Sequence, residues 1–123
     1  SERKEREEQL WRDKNFLHQL IDSNPCHIFV KDGDSRYTLV NGNVADLFGL
    51  APRDLIGKTV GELGASGEQA ERLNHDDRRV IETRQELVVG EERVIDAQGR
   101  ERLFHTVKRP ILDRDGQRLL VLG

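Results

Sequence analysis

The segment IFVKDGDSRYTLVNGNVADLFGLAPRDLIG, residues 28–57, holds the densest group of structural signals in this sequence. It begins with two short apolar runs on either side of the polar residues 31–36. A polar loop of this length between two apolar runs predicts a β-hairpin, with strands over 28–31 and 36–40. We expect Asp32 to support the loop, because its carboxylate can accept hydrogen bonds from nearby backbone N–H groups.

Two short helices are predicted directly after the hairpin. Asn41 suits the N-cap of the first helix, since its side chain can accept a hydrogen bond from the first turn and tie the preceding strand to it. Gly49 suits the C-terminal end of that helix, Pro52 the start of the second and Gly57 its end. Asp32, Asn41, Gly49 and Gly57 are therefore predicted to have structural roles.

Residues 1–23 are predicted to form an amphipathic helix ahead of a domain formed by residues 24–123. The helix should end before Pro25, because the residue that precedes a proline is disfavoured in α geometry. Two interpretations are open: the helix covers the sheet of its own domain, or two copies pair as a short coiled coil. We favour pairing, because the apolar residues begin far upstream of the domain. The predicted dimerisation residues are Leu10, Trp11, Leu17, Leu20 and Ile21.

A longer helix is predicted from about Glu68 to Arg84. The polar block 74–77 lies in its middle, and we expect a break there, with Asp76 or Asp77 capping the second half. Lys108 and Arg109, farther along the chain, are expected to form surface ion pairs with acids such as Asp46, which contribute little to stability.

The last third of the chain is predicted to be β structure. The two early strands and the late strands most simply join into one antiparallel sheet with the helices packed on one face, which is an α+β fold. The predicted late elements are strands over 87–95, 102–112 and 119–122, with turns at 96–99 and 113–116.

Composition limits the possible classes of function. Charged and hydrophobic residues each make up 35% of the chain, and the formal net charge of −3 argues against nucleic acid as the main partner. The single cysteine, Cys26, excludes an internal disulfide and fits a reducing compartment. The sequence has no apolar run long enough for a membrane span and no signal peptide. We therefore expect a cytoplasmic location and no membrane insertion by this segment.

Several short sequence markers occur in a fixed order over about residues 22–123. The markers are Val30-Lys31-Asp32, Tyr37-Thr38-Leu39-Val40-Asn41, Ala45, Phe48-Gly49, Asp54-Leu55-Ile56-Gly57-Lys58, and Lys108-Arg109-Pro110-Ile111-Leu112-Asp113 followed by Gly116. Taken together, in this order and spacing, they resemble PAS domains. The resemblance implies a five-stranded sheet in the order 2-1-5-4-3, with helices that enclose a small cavity. The N-terminal helix resembles the cap helix through which such domains dimerise.

The resemblance implies a regulatory sensor or signal-relay module of a larger bacterial signalling protein, of the histidine kinase, diguanylate cyclase or chemoreceptor type. We expect a homodimer, with an output domain in the same chain, although the sequence stops at Gly123 before the exit motif that usually leads to that domain. The junction Asn24-Pro25 is our candidate for the two-state element. The alternative is a protein-interaction and dimerisation module with a filled core and no ligand.

No arrangement of residues in the sequence predicts catalysis. Ser35, Ser66 and Cys26 have no evident histidine and acid partners, and no phosphate-binding loop is present. The histidines do not have zinc-ligand spacing, so we expect no metal site. We therefore expect no enzymatic activity from this segment, although the parent protein can carry a kinase or cyclase domain.

Two cofactors known in PAS domains can be judged from single residues. A flavin adduct requires a cysteine in the helical segment, whereas Cys26 precedes the first strand and reads better as a small, partly buried apolar residue. Haem is a further possibility, because His75 lies near the position of the axial ligand in haem-binding relatives. We favour the interpretation that His75 is a solvated or capping residue.

A small organic ligand in the cavity is the third possibility. The competing interpretation, which we favour from the sequence alone, is that the same side chains fill the core. His105 and Thr106 are the polar groups of the inner strands best suited to orient a ligand, and we expect one of them to face inward. The candidate pocket residues are Ile28, Val30, Leu39, Phe48, Val80, Phe104, His105, Thr106 and Leu120.

Overall fold

The computed structural model of this chain describes residues 2–65, 67–113 and 119–123. Within these ranges it contains four helices and five strands, in the predicted order. The predicted turn at 113–116 lies outside the described residues beyond Asp113. The elements are α1 Glu2–Ser23, β1 Phe29–Lys31, β2 Tyr37–Val40, α2 Gly42–Phe48, α3 Pro52–Leu55, α4 Gly67–Thr83, β3 Leu87–Ile95, β4 Glu101–Leu112 and β5 Leu119–Leu122.

The five strands form one antiparallel sheet in the order β2-β1-β5-β4-β3. The opening hairpin joins the closing strands through β1 and β5, where Val30 pairs with Leu122 and Lys31 with Val121. The predicted α+β fold, with strand order 2-1-5-4-3, is therefore confirmed. Because neighbouring residues of a strand face opposite sides of a sheet, these pairings also fix which side chains face the helices.

Helices α2, α3 and α4 lie over one face of the sheet and enclose the core with it. Helix α4 packs against β3, β4 and β5, while α3 packs against α2 and β2. The apolar side chains of this layer are removed from water, which supplies the main favourable term for folding. The central cluster consists of Tyr37, Val40, Val44, Ala45, Leu55, Val60 and Leu73.

Helix α2 is bounded by two residues whose local geometry explains its position. Asn41 has an extended backbone, and its side chain accepts a hydrogen bond from the N–H of Val44 at 3.2 Å. Gly49 follows the helix in the left-handed region, at φ 68°. A Cβ atom at Gly49 would lie 2.8 Å from the Cβ of Ala97, so the β3–β4 turn packs directly against this helix end.

The predicted break in the long helix is wrong. Helix α4 continues from Gly67 to Thr83 through the polar block. Asp77 is not a cap, because its side chain points into the protein and is only 1% exposed. Asp77 therefore supplies a buried carboxylate from within a continuous helix.

Helix α1 does not cover the sheet of its own domain. None of its residues is buried, and Trp11 and Phe16 remain 68% and 63% exposed. Phe29 of β1 packs against the ring of Tyr37 on the inner face of the sheet. Among the described residues, no helix has both the length and the apolar character needed to cross a membrane.

Candidate ligand cavity

A cavity of about 420 Å³ lies between the helices and the inner face of the sheet. Both layers contribute to its wall, since residues from α2, α4, β1, β3 and β4 all line it. A volume of this size is within the range of small-molecule sites in proteins. The apolar part of the wall includes the following aromatic and aliphatic side chains: Phe29, Tyr37, Phe48, Phe104, Val44, Leu47, Val60, Leu73 and Val94.

Five of the predicted pocket residues line this cavity. Phe104 and Thr106 point inward from β4, whereas the side chain of His105 between them is exposed. Thr106 is therefore the inward-facing member of the pair that the sequence singled out. The five residues are Ile28, Phe48, Phe104, His105 and Thr106.

The other four predicted pocket residues do not line the cavity, which corrects the sequence-based assignment. Val30 pairs with Leu39 in the β1–β2 ladder. Because its neighbours Phe29 and Lys31 face inward, Val30 and its partner face the other side of the sheet. Leu120 pairs with Ile111, which is likewise out of phase with the inward-facing residues of β4. Val80 is fully buried on α4 but is not part of the cavity wall.

A cluster of four charged side chains closes one end of the cavity. Asp77 on α4 lies between two lysines: its Oδ2 is 2.9 Å from the Nζ of Lys31, and its Oδ1 is 3.2 Å from the Nζ of Lys108. The Nζ of Lys108 is also 3.3 Å from Oε2 of Glu92 on β3. Lys31, Lys108 and Glu92 line the cavity, whereas Asp77 lies behind them. We call these four residues the charged cluster.

Burial of the charged cluster is nearly complete. Lys31 is 2% exposed, Lys108 is 0% exposed and Glu92 is 7% exposed. The expectation that Lys108 forms a surface pair is therefore wrong, whereas Arg109 does form an exposed pair, with Glu86. Buried charges are tolerated only where they are paired and hydrogen-bonded, so the positions of these groups depend on one another.

The pKa values of the two lysines of the cluster and of the neighbouring Tyr37 are shifted. Burial lowers the pKa of Lys31 against the attraction of Asp77, and the like charge of Lys108 acts in the same direction as burial. Burial also acts to lower the pKa of Lys108, but Asp77 and Glu92 together outweigh it and the pKa is raised. Burial, with the nearby charges of Asp77 and Glu92, raises the pKa of Tyr37, so its phenol remains neutral.

The rim of the cavity is formed by the segment between α1 and β1. Asn24 and Cys26 are both exposed there, so the expectation of a partly buried cysteine is wrong. His27 packs edge-on against Phe104, with ring centroids 4.7 Å apart. Burial lowers the pKa of His27, and nearby Arg102 adds to the effect while Asp46 opposes it.

Asn41 connects this rim to the strands and to α2. Its Nδ2 donates hydrogen bonds to the carbonyl oxygens of Ile21 at 2.9 Å and Cys26 at 2.8 Å. Its Oδ1 accepts from the N–H groups of Ile28 at 3.1 Å and Val44 at 3.2 Å. One fully buried side chain therefore holds the end of α1, the start of β1 and the start of α2 together.

The cavity does not fit haem with His75 as axial ligand. His75 is exposed on α4 and is not part of the cavity wall. Cys26 lies at the rim, before β1, and not in the helical segment from which a cysteine would form a flavin adduct. In the part of the chain that the structure describes, no group of three or more His, Cys, Asp or Glu side chains is arranged to hold a metal ion.

Sequence reasoning missed the charged cluster and two of the four phenylalanine and tyrosine rings of the wall, those of Phe29 and Tyr37. Lys31 follows the apolar run Ile28-Phe29-Val30, which is a usual place for a strand to reach solvent, and Lys108 lies between Val107 and Arg109 in a mixed polar and apolar stretch. A usable signal is the alternation along β4, which places Lys108 on the same face as Phe104 and Thr106.

The chain belongs to the PAS family. A family model described as the PAS fold matches residues 21–123. The PAS domain of BvgS from Bordetella pertussis has a similar structure, with a TM-score of 0.70 and 25% identity, covering 91% of this chain and 83% of that one. The predicted family is therefore confirmed, and PAS domains are sensory modules of signalling proteins.

Two relatives are signalling proteins with output domains. The methanogenesis regulatory histidine kinase FilI of Methanothrix harundinacea is 35% identical over 105 residues, which is 85% of this chain and 11% of FilI. A diguanylate cyclase of Vibrio cholerae is 31% identical over 109 residues, which is 87% of this chain and 34% of the cyclase. The chain thus spans only a small part of the relatives it matches, and it is similar to a signalling PAS module.

Proposed function

We propose that this chain is the sensor of a larger signalling protein, that it binds a small organic molecule in its cavity, and that it dimerises through α1. Ligand binding is relayed to an output domain of the histidine kinase or diguanylate cyclase type in the same polypeptide. The segment has no catalytic activity of its own and works in the cytoplasm, without nucleic acid as a partner. The observation that carries the proposal is the cavity of about 420 Å³ with a charged cluster at one end.

The cavity favours ligand sensing over the ligand-free alternative. A module that only mediates dimerisation needs a well-packed core, because voids cost stability. This core has space for a small molecule, and the space is lined by aromatic rings together with a few convergent polar groups. That combination is typical of small-molecule sites.

The exposed apolar residues of α1 support dimerisation. Leu10, Leu17 and Leu20 are 46–53% exposed on a helix that has no buried residue, and Trp11 lies beside them. Ile21, near the end of the helix, is partly buried. Large apolar side chains concentrated on one exposed helix are removed from water when a second copy of the helix packs against them.

The connection through Asn41 supports a route for the signal. The segment 24–27 lies at the cavity rim, and Asn41 bonds both to this segment and to the last turns of α1. A ligand that moves the rim therefore biases the position of α1 and the geometry of the dimer. We keep Asn24-Pro25 as the hinge, because it lies between these two bonding points.

Native mass spectrometry tests both parts of the proposal in one measurement. We expect the wild-type chain to appear as a dimer, and the protein purified from cells to carry a small molecule. Leu17→Asp should shift the protein to monomer, because a carboxylate would have to be buried in the helix interface. Sedimentation velocity would give the same result in solution.

Asn15→Asp is the matched control. Asn15 is exposed two residues earlier on α1, on the side of the helix away from Leu17, and the substitution adds the same charge. We expect it to remain dimeric. A wild-type monomer would contradict dimerisation through α1, and a dimer without a bound molecule in every preparation would favour the ligand-free alternative.

A further inference from the structure

The charged end of the cavity includes a buried oxygen that accepts no hydrogen bond. The Oε1 of Glu92 accepts a hydrogen bond from the hydroxyl of Thr106, at a distance of 3.4 Å. Its Oε2 lies 3.3 Å from the Nζ of Lys108 but accepts no hydrogen bond from the part of the chain that the structure describes. A buried carboxylate oxygen in this state is costly, so a donor from a bound molecule would stabilise it.

The same end also has ammonium protons to donate. The Nζ of Lys31 hydrogen-bonds to one oxygen among the described residues, Oδ2 of Asp77, although an ammonium group carries three donors. It lies 5.3 Å from the ring centroid of Phe29 and 4.9 Å from that of Tyr37. Lys31 and Glu92 both line the cavity, so a lysine donor and a carboxylate acceptor are available to a ligand at this end.

The charge balance of the cluster disfavours ionic ligands. Two lysines and two carboxylates cancel, so an anion or a cation would enter a buried region without a counter-ion. If Lys31 lost its proton, the cluster would become negative, and an anion would be disfavoured further. The cluster is thus suited to hydrogen-bond a ligand that carries no net charge.

We propose that the ligand is a small neutral molecule with an N–H or O–H donor and a neighbouring acceptor, such as an amide or lactam, on an aromatic or apolar body. The donor hydrogen-bonds to Oε2 of Glu92, the acceptor accepts a hydrogen bond from the Nζ of Lys31, and the body lies among the rings of Phe29, Phe48 and Phe104. This inference rests on the proposed sensor function and adds the chemical class of its ligand.

Matched sets of small molecules test whether the wild-type chain prefers a neutral ligand of this class. Each set shares one aromatic body and differs in the polar group: phenylacetamide, phenylacetate and phenethylamine, then indoleacetamide, indoleacetate and tryptamine. Saturation-transfer NMR and titration of protein amide signals give the affinities. We expect each amide to bind at least about tenfold more tightly than its carboxylate and its amine, with shifts at the amides of Phe104 and Thr106.

Glu92→Gln tests the role of Oε2 of Glu92 in ligand binding. The variant keeps the shape of the side chain but removes the carboxylate, so we expect amide affinity to fall about tenfold and the discrimination against the carboxylate to shrink. Glu91→Gln, on the neighbouring exposed residue of β3, should leave both affinities unchanged. If Glu92→Gln does not fold, the affinities of the amides, carboxylates and amines for the wild-type chain decide whether the ligand is neutral.

The possible outcomes separate this inference from the proposed function. Preferential binding of the carboxylates or the amines in the cavity would overturn the neutral class and leave ligand sensing in place. Equal loss of affinity in Glu91→Gln and Glu92→Gln would overturn the role of Glu92. Failure of both sets to bind the wild-type chain would overturn the ligand class, and the native mass spectra would show separately whether another molecule occupies the cavity.

Discussion

Asp77 is the residue on which the buried charges depend. It is 1% exposed and contacts both Lys31 and Lys108 at hydrogen-bonding distance. Bringing two ammonium groups into a protein interior is costly unless a carboxylate compensates them. A single aspartate therefore ties α4 to β1 and to β4 at the end of the cavity.

We expect Asp77→Asn to destabilise the protein by about 3–5 kcal/mol, because it leaves two buried ammonium groups facing a neutral amide. Urea unfolding followed by circular dichroism measures the change. Asp76→Asn, one residue earlier and partly exposed, should change stability by less than about 0.5 kcal/mol. Equal effects of the two variants on stability would show that the charge of Asp77 is not needed to compensate the two buried lysines.

Asn41 determines how three elements are joined. It accepts two hydrogen bonds and donates two, so all the bonding capacity of its amide nitrogen is used. Its oxygen caps α2 and holds β1, whereas its nitrogen holds the end of α1 and the rim of the cavity. The two functions can be separated by substitution.

Asn41→Asp should release α1 while α2 stays capped. The carboxylate still accepts from Ile28 and Val44 but repels the carbonyl oxygens of Ile21 and Cys26. We expect faster hydrogen exchange at 20–26 and unchanged protection in α2, measured by mass spectrometry. Asn41→Ala removes all four bonds, so it should loosen both regions and cost about 1–2 kcal/mol. The same exchange pattern in the two variants would contradict this division.

At the scale of the whole molecule, His27 makes folding sensitive to acid. Its pKa in the folded protein is lowered from 6.5, chiefly by burial, with Arg102 adding to the shift and Asp46 opposing it. Below pH 6.5 the unfolded chain therefore binds a proton at His27 more readily than the folded chain does. This source of instability is absent above that pH and grows as the pH falls toward the folded pKa.

As the pH is lowered from about 7.5 to about 5.5, we expect the free energy of unfolding to decrease less in His27→Gln than in the wild type. Urea unfolding at each pH measures this decrease. His75→Gln removes an exposed histidine from α4 and is the matched control, so its pH dependence should equal that of the wild type. Equal pH dependence in wild type and His27→Gln would show that His27 does not contribute.

Much of the fold could be predicted because its signals are local. Asn41, Gly49 and Pro52 bound short helices through backbone geometry that depends on neighbouring residues only. The alternation along β4 was likewise readable from the sequence. The strand order came from the family resemblance, since pairing β1 with β5 joins residues about 90 positions apart, which no local pattern specifies.

The sequence alone determined most of the elements and their order, because these follow from short-range periodicity and capping, whereas the family came from the resemblance of its short markers to PAS domains. Only the tertiary structure decided which charges are buried. Lys31, Asp77 and Lys108 are separated by 46 and 31 residues along the chain, and each occurs in a context that is typical of a solvated side chain. Their burial becomes favourable only when all of them meet, so the charged cluster is a property of the assembled fold and not of any segment within it.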